Sequence, residues 1–265
     1  MGELNTAISI QNLSFSYEKN TVLLNANATI EAEKLTVILG KNGSGKSTLL
    51  RIIAGLLPYK QGLIGISGKE LKIMSLSERA KTFGFLSQKH KAVFPFTVEQ
   101  VVLTGRAGYI NFVPKKSDVE VAETAMNKVN IMHLKDRIYT ELSGGEQQLV
   151  MMARVLAQEP KMLLLDEPTT HLDFCNQIKL LTLLKELTMQ KLTVIAVLHD
   201  PNIAFLYGDD FLFVKNGTLE RPAEPIKPWS AEYLKTVYEH ELQSVPYAGR
   251  ALIVPGIIQK KQNDR

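Results

Sequence analysis

The sequence predicts an α/β fold: a parallel sheet preceded by a strand-rich N-terminal region and interrupted by a mostly helical one. Three observations predict it. Leu35-Thr36-Val37-Ile38-Leu39, Met162-Leu163-Leu164-Leu165 and Val194-Ile195-Ala196-Val197-Leu198 are short, nearly continuous apolar runs, the pattern of strands buried on both faces of a parallel sheet. Helical signals follow each run, so strands and helices alternate. From about Phe96 to Gln158 that alternation stops and helix starts dominate, which marks an insertion. At 265 residues and 45% hydrophobic, the chain can bury a core of this size.

Taken in order, Ile8, Ile10, Leu13, Phe15 and Tyr17 nearly alternate and read as a strand. After the run at Leu35 comes a glycine-rich turn, then a helix through Leu49, Leu50, Ile52 and Ile53 that Gly55 is placed to end. Leu63-Ile64-Gly65-Ile66 and Phe83-Gly84-Phe85-Leu86 are further short strands. In the helical stretch, Thr97-x-x-Gln100, Ser117-x-x-Glu120 and Ser143-x-x-Glu146 each fit a capping box. Leu149, Val150, Met152, Ala153 and Leu156 give the third of these helices an apolar face. The helix after Met162–Leu165 buries Ile178, Leu181, Leu184 and Leu187, and Asp200-Pro201 caps and opens another. Asn216-Gly217 between Phe211-Leu212-Phe213-Val214 and Thr218-Leu219 predicts a hairpin. Beyond Arg221 the apolar residues are scattered and assign no element; residues 260–265 read as a frayed polar terminus.

Composition excludes several classes. No stretch reaches the roughly 18 consecutive apolar residues of a membrane-spanning helix. The first residues lack a basic segment followed by an apolar one, and a single cysteine, Cys175, permits no intrachain disulfide, so the expectation is a cytoplasmic chain. Cys175 reads as a buried or interfacial reduced thiol, and His90, His133 and His240 have no ligand spacing. A net charge of +4 is too small an excess to argue for nucleic acid.

Three motifs carry chemistry. Gly40-Lys41-Asn42-Gly43-Ser44-Gly45-Lys46-Ser47 matches G-x-x-x-x-G-K-[S/T] and stands between a predicted strand and a predicted helix. Such a loop turns its N–H groups inward around a polyphosphate, adds the partial positive charge of the helix N-terminus, sends Lys46 to the outer phosphates and offers the Ser47 hydroxyl to Mg²⁺. A chance match in a chain of this length arises about once in a hundred, given ordinary glycine usage. Asp166-Glu167 ends the apolar run at Met162, where open parallel sheets place ligands; Asp166 suits a Mg²⁺ shell and Glu167 can polarise a water. Leu142-Ser143-Gly144-Gly145-Glu146-Gln147 is a capped helix start, yet its two glycines cost about 1 kcal/mol each against alanine. Close approach to an anion offsets that cost.

In this order the motifs resemble the ATP-binding cassette (ABC) family of ATPases over residues 8–220. The resemblance implies a P-loop NTPase core, an N-terminal antiparallel β subdomain and an inserted helical subdomain at about 89–158, with 221–265 as an extension of open role. It implies ATP and Mg²⁺ as cofactors, bound by the phosphate loop through Thr48. It further implies that Ser143, Gly144, Gly145 and Glu146 of one copy close on the nucleotide of another in a head-to-tail dimer. By the same resemblance Tyr17 stacks on adenine, Gln88 touches Mg²⁺ and the attacking water, His199 contacts the γ-phosphate, and Asp173 crosses the dimer interface. Taken alone, Tyr17 is a strand-edge tyrosine, Gln88 a surface glutamine and His199 a structural histidine. His171 departs from the commoner Ser-Ala before Leu-Asp.

With no membrane segment, a transport role implies two separate integral-membrane permease subunits, a peripheral place on the cytoplasmic face of the inner membrane, and indirectly an extracytoplasmic substrate-binding protein. Val101-Val102-Leu103-Thr104-Gly105-Arg106, Tyr109 and Pro168-Thr169-Thr170-His171-Leu172-Asp173 resemble the group of importers that takes up metal chelates: iron(III)-siderophores, haem and cobalamin. Many of that group have Gly-Arg-x-Pro-Tyr where this chain has Gly105-Arg106-Ala107-Gly108-Tyr109, and molybdate or tungstate importers are the alternative. Ribosome-associated cassettes carry every motif twice, and DNA-repair ATPases insert a long coiled coil; here each motif occurs once and only 55 positions separate Gln88 from Ser143. No nucleic-acid partner is expected.

Overall fold

In the computed structural model, which describes residues 5–88, 95–110 and 112–256, the chain opens with two long antiparallel strands, β1 (Thr6–Tyr17) and β2 (Asn20–Glu31). The near-alternation of β1 slips where Asn12 adopts a left-handed φ of 50° and its N–H turns to the Asn27 side chain. This bulge puts Leu13 on the same buried face as Ile8 and Ile10, which strict alternation forbids. β3 (Leu35–Leu39) then leads through the glycine-rich loop into α1 (Lys46–Ile53), and Gly55, at φ 70°, ends that helix as expected. β4 (Gln61–Ile66) and β5 (Lys69–Glu70) complete a four-stranded antiparallel sheet in the order β2-β1-β4-β5.

After α2 (Leu76–Thr82) and β6 (Phe83–Leu86) come the helices α3 (Val98–Leu103), α4 (Lys116–Lys128) and α5 (Gly144–Ala157). The chain returns through β7 (Met162–Asp166), α6 (Phe174–Met189), β8 (Thr193–Val197), α7 (Pro201–Tyr207), β9 (Asp210–Lys215) and β10 (Thr218–Glu220). These strands and β3 make a six-stranded sheet in the order β10-β9-β3-β8-β7-β6, parallel from β9 to β6. Side chains alternate across it. Val37, Leu163, Leu165 and Val194 join the core shared with α3, α4 and α5, whereas Ile38, Leu164, Ile195 and Val197 join α1 and the antiparallel sheet. Burial on both faces is what the continuous apolar runs required, and it aligns the carboxyl ends of β3, β6, β7 and β8 along one edge.

Local signals held in most places and failed in three. Thr97 and Ser143 cap α3 and α5 with reciprocal boxes to Gln100 and Glu146. Ser117, however, lies inside the first turn of α4: the helix starts at Lys116, and Asp118 accepts the Lys115 N–H at 3.0 Å. Asp118 is held there by Arg106, so a tertiary contact sets the start. Ile178 is 38% exposed, because α6 buries the stripe Leu180, Leu181, Leu184 and Leu187 and leaves Ile178 at its edge. Cys175 is exposed, beside the exposed Phe174 at the start of the same helix; of the two expected settings, buried or interfacial, this corrects the buried one. Ser75 and Glu78 form a further capping box on α2.

The segment that gave no sequence signal folds into α8 (Ala231–Tyr238) and a hairpin of β11 (Leu242–Tyr247) and β12 (Arg250–Pro255). Its apolar residues are scattered because few are needed: Leu234 and Val237 are buried, Tyr233 stacks edge-on against Phe213, and Trp229 meets Phe205 and Phe211. His90 and residues 260–265 lie outside the described residues.

Candidate active site

The phosphate loop leaves β3 with Gly40 at φ 144°, where an added Cβ would stand 2.4 Å from the Val214 carbonyl oxygen. At the other end Gly45, at φ 104°, caps α1 with no side-chain bond, and a Cβ there would stand 2.6 Å from Val22. Both conformation and space demand glycine. Lys46, 5% exposed, donates to the carbonyls of Gly40 at 2.8 Å and Lys41 at 2.7 Å. Burial lowers its pKa, against the pull of Glu167 and Asp166. Thr48 is buried beneath the loop, Asn42 and Gly43 stand exposed, and the Ser44 hydroxyl is buried without a partner among the described residues.

At the end of β7, Asp166 is fully buried and accepts the Ser47 hydroxyl at 2.7 Å. Its second oxygen, Oδ2, is buried without a partner among the described residues, and burial raises its pKa, with Glu167 adding to the rise. Glu167 has a left-handed φ of 54° and is 7% exposed. Gln88, just past β6, donates to Glu167 Oε2 at 2.5 Å, and His199, just past β8, places Nε2 2.5 Å from Oε1. Thr170 adds a bond to Oε2 at 3.3 Å. Gln88, Glu167 and His199, which are 79 and 32 positions apart in sequence, therefore meet at one carboxylate. Short contacts on both of its oxygens hold the carboxylate in one orientation.

The other expected residues stand apart. Tyr17, 43% exposed, packs edge-on to Phe15 with centroids 4.9 Å apart. Ser143 caps α5, accepting the Glu146 N–H at 3.3 Å, while Glu146 Oε2 accepts from the Ser143 N–H at 2.8 Å and its hydroxyl at 2.7 Å. Those bonds hold the Glu146 pKa low. Gly144 and Gly145 face His171, whose φ is 67°; a Cβ on Gly145 would stand 3.1 Å from the His171 carbonyl oxygen. Part of the need for glycine here thus comes from this chain's own loop rather than from an anion. Asp173 caps α6, accepting from the backbone and side chain of Asn176. Among the described residues, no hydrogen bond ties Ser143–Glu146 to the phosphate loop.

Two contacts escaped the sequence reading. Lys41 forms an ion pair with Glu239, just past α8, and the buried Gln148 donates to the Pro168 carbonyl at 3.1 Å, tying α5 to the turn after β7. The first gave no signal because its partner lies in the unassigned C-terminal stretch; the second was visible only as a polar residue on a helix face.

The model of the ABC transporter family matches residues 23–170, more than half of the chain. An uncharacterized ABC transporter ATP-binding protein of Haemophilus influenzae is 40% identical over 63% of this chain and 64% of its own length. The ferric enterobactin transport ATP-binding protein of Escherichia coli is 36% identical over 78% of this chain and 79% of its own. The chain spans less than two thirds of the first two relatives it matches, 64% and 46% of their lengths. Among solved structures, an ABC transporter assigned to the metal-chelate type, in an inward-facing conformation, superposes with a TM-score of 0.81 at 31% identity, over 96% of this chain and 99% of that one. A dimeric ATP-binding cassette in a post-hydrolysis state with ADP and phosphate superposes with a TM-score of 0.73 at 27% identity, over 83% and 99%. The extent of the family match, and the identity to relatives matched over most of their own lengths, establish that this chain belongs to the ABC transporter family.

Proposed function

We propose that the chain is the ATP-hydrolysing subunit of an ABC importer that takes up a metal chelate, an iron(III)-siderophore, haem or cobalamin, through separate permease subunits. The convergence of Gln88 and His199 on Glu167, beside the Ser47–Asp166 pair and the phosphate loop, supports hydrolysis, and the likeness to the ferric enterobactin transport protein and to the metal-chelate type transporter supports the cargo class. Glu167 is the general base: nearly buried and fixed through both oxygens, it takes the proton of the attacking water. His199, just past β8, faces the transferring phosphoryl group, and Gln88 positions the water. Lys46 and the loop N–H groups bind the phosphates. The buried Asp166 Oδ2, without a partner among the described residues, and the Ser47 hydroxyl are hard oxygen donors of the kind Mg²⁺ takes, and the Gln88 amide oxygen would add a third. When bound, the ion neutralises charge on the outer phosphates.

Ser143, Gly144, Gly145 and Glu146 complete the site of a second copy, Asp173 crosses between the copies, and Tyr17 stacks on the base. The inserted helices, 89–158 within a cassette of 1–220, meet the core along a groove of about 640 Å³ between Leu76, Phe85, Gly108 and Tyr109. A permease segment docks there, on the cytoplasmic face of the inner membrane, and an extracytoplasmic binding protein supplies the cargo. Among the described residues no helix is long and apolar enough to cross the membrane. Gly105 and Arg106, part of the importer-group pattern, brace that groove. Gly105 packs where a Cβ would stand 2.1 Å from the Arg154 carbonyl, and Arg106 binds Asp118, Glu159 and the Tyr109 ring face. An added Cβ at Gly108 meets nothing within 4 Å, and nothing in the structure explains the missing proline.

Glu167→Gln should reduce phosphate release at least a hundredfold while ATP-bound dimers accumulate in sedimentation; normal turnover would remove Glu167 from its role. Uptake of labelled haem, siderophore and cobalamin by vesicles holding the chain with its cognate permease tests the cargo. Transport of molybdate alone would favour the alternative.

A further inference from the structure

The C-terminal extension reaches both segments that handle the phosphates. The last residue of α8, Tyr238, buries its hydroxyl next to Gly40, and the following Glu239 turns through a left-handed φ of 56° to pair with Lys41. On the other side Asn202, three residues past His199, exchanges two hydrogen bonds with Ile253 of β12, at 2.6 and 3.0 Å. Glu239 also lines a cavity of about 440 Å³ together with Lys41–Ser44. A carboxylate thus stands at the mouth of a phosphate cradle, engaging one of the cradle's own cations.

Resting on the nucleotide-binding reading above, we propose that Glu239 is a positioning residue that tunes nucleotide affinity: it holds the Lys41 ammonium on the C-terminal extension, and a bound polyphosphate must compete for that cation. A triphosphate brings several negative charges to the loop, so it attracts Lys41 and repels Glu239. Opening the Lys41–Glu239 contact on binding subtracts from affinity, and its return favours release. The pair is solvent-exposed, with side chains 40% and 67% accessible, so the expected effect is modest, about two- to fivefold, and screened by salt. Glu239→Gln is the clean variant, since glutamine keeps the length and tolerates the same backbone conformation no better and no worse.

The test is ATP titration by calorimetry, with steady-state hydrolysis, on the full chain and its Glu239→Gln, Lys41→Ala and double variants at low and high salt. Tighter binding by two- to fivefold in Glu239→Gln at low salt, with kcat moved less than KM, a gain at least halved in the Lys41→Ala background, and restoration by Glu239→Asp, is the expected result. Unchanged affinity in Glu239→Gln, or the same change with and without Lys41, overturns the proposal. Failure of the parent chain to bind ATP would instead overturn the nucleotide-binding reading on which it rests.

Discussion

The strand ends and the start of α5 hold the two most distinctive motifs of the chain, yet they are built in opposite ways. Around Glu167 and Asp166 the polar groups come from the start of α1 and the ends of β6, β7 and β8 and contact one another; the two carboxylates are buried, while His199 is half exposed. Around Ser143 they are largely solvent-facing and bond only to each other through a capping box. The first region is assembled by the fold; the second is presented by it. A phosphate-binding half completed within the chain and a helix start displayed away from it are what a head-to-tail pair of copies requires, since each copy then supplies what the other lacks.

The largest effect that can break this comparison is at Lys46. Lys46→Ala should abolish nucleotide binding in a filter assay with labelled ATP, because the loop loses its one buried cation; measurable binding at wild-type affinity would remove the phosphate loop from its role. Ser143→Arg should leave ATP binding to the isolated chain within about threefold yet reduce hydrolysis at least a hundredfold, the scale of losing a transition-state donor. Mixing the two inactive variants then discriminates: in the mixed dimer one site has an intact phosphate loop facing an intact Ser143. Recovery of a fraction of the activity supports service between copies. If both proteins pass a thermal-melt check and no activity returns, Ser143 acts within its own chain.

What could be read from sequence divides along the same line. The phosphate loop, the acidic pair and the capped helix start at Ser143 were legible because each is a local pattern with a local cause: a positive φ, a strand end, a capping box. The fixing of Glu167 was legible only through resemblance, because Gln88 and His199 reach it through sheet order, which no single run of residues encodes. Ser117 misled since Asp118, drawn to Arg106, outweighed a plausible box. The C-terminal lobe was silent because α8 buries only Leu234 and Val237, too few to set a period. The Lys41–Glu239 contact was invisible for that reason.

The buried half should also carry an electrostatic cost. The Asp166 pKa is raised, mainly by burial, so between its ordinary value of 3.8 and the raised one the folded chain binds more protons than the unfolded chain. Stability contributed by Asp166 is therefore greatest in acid and falls as pH rises. Asp166→Asn keeps an acceptor for Ser47 and removes the charge. It should stabilise the ligand-free chain at neutral pH by about 0.5–2 kcal/mol while abolishing hydrolysis. The gain should vanish below pH 3.8, which thermal scans across pH can follow; a loss of stability at neutral pH would mean that the carboxylate is stabilised by its surroundings.

Glu146 should respond with the opposite sign and the smallest amplitude. Its pKa is lowered from 4.5, first by the Ser143 hydroxyl and next by the Ser143 N–H. The stabilisation is thus fully present above pH 4.5 and is lost as pH falls through the lower folded value. Glu146→Gln retains an acceptor for both Ser143 donors but gives up the negative charge at the start of α5, worth about 0.3–1 kcal/mol. At neutral pH the variant should melt slightly below the parent chain, and the two should converge in acid, where the parent has also lost the charge. Divergence of the two melting curves on acidification would show that packing against the His171 loop, rather than the charged box, holds this helix start in place.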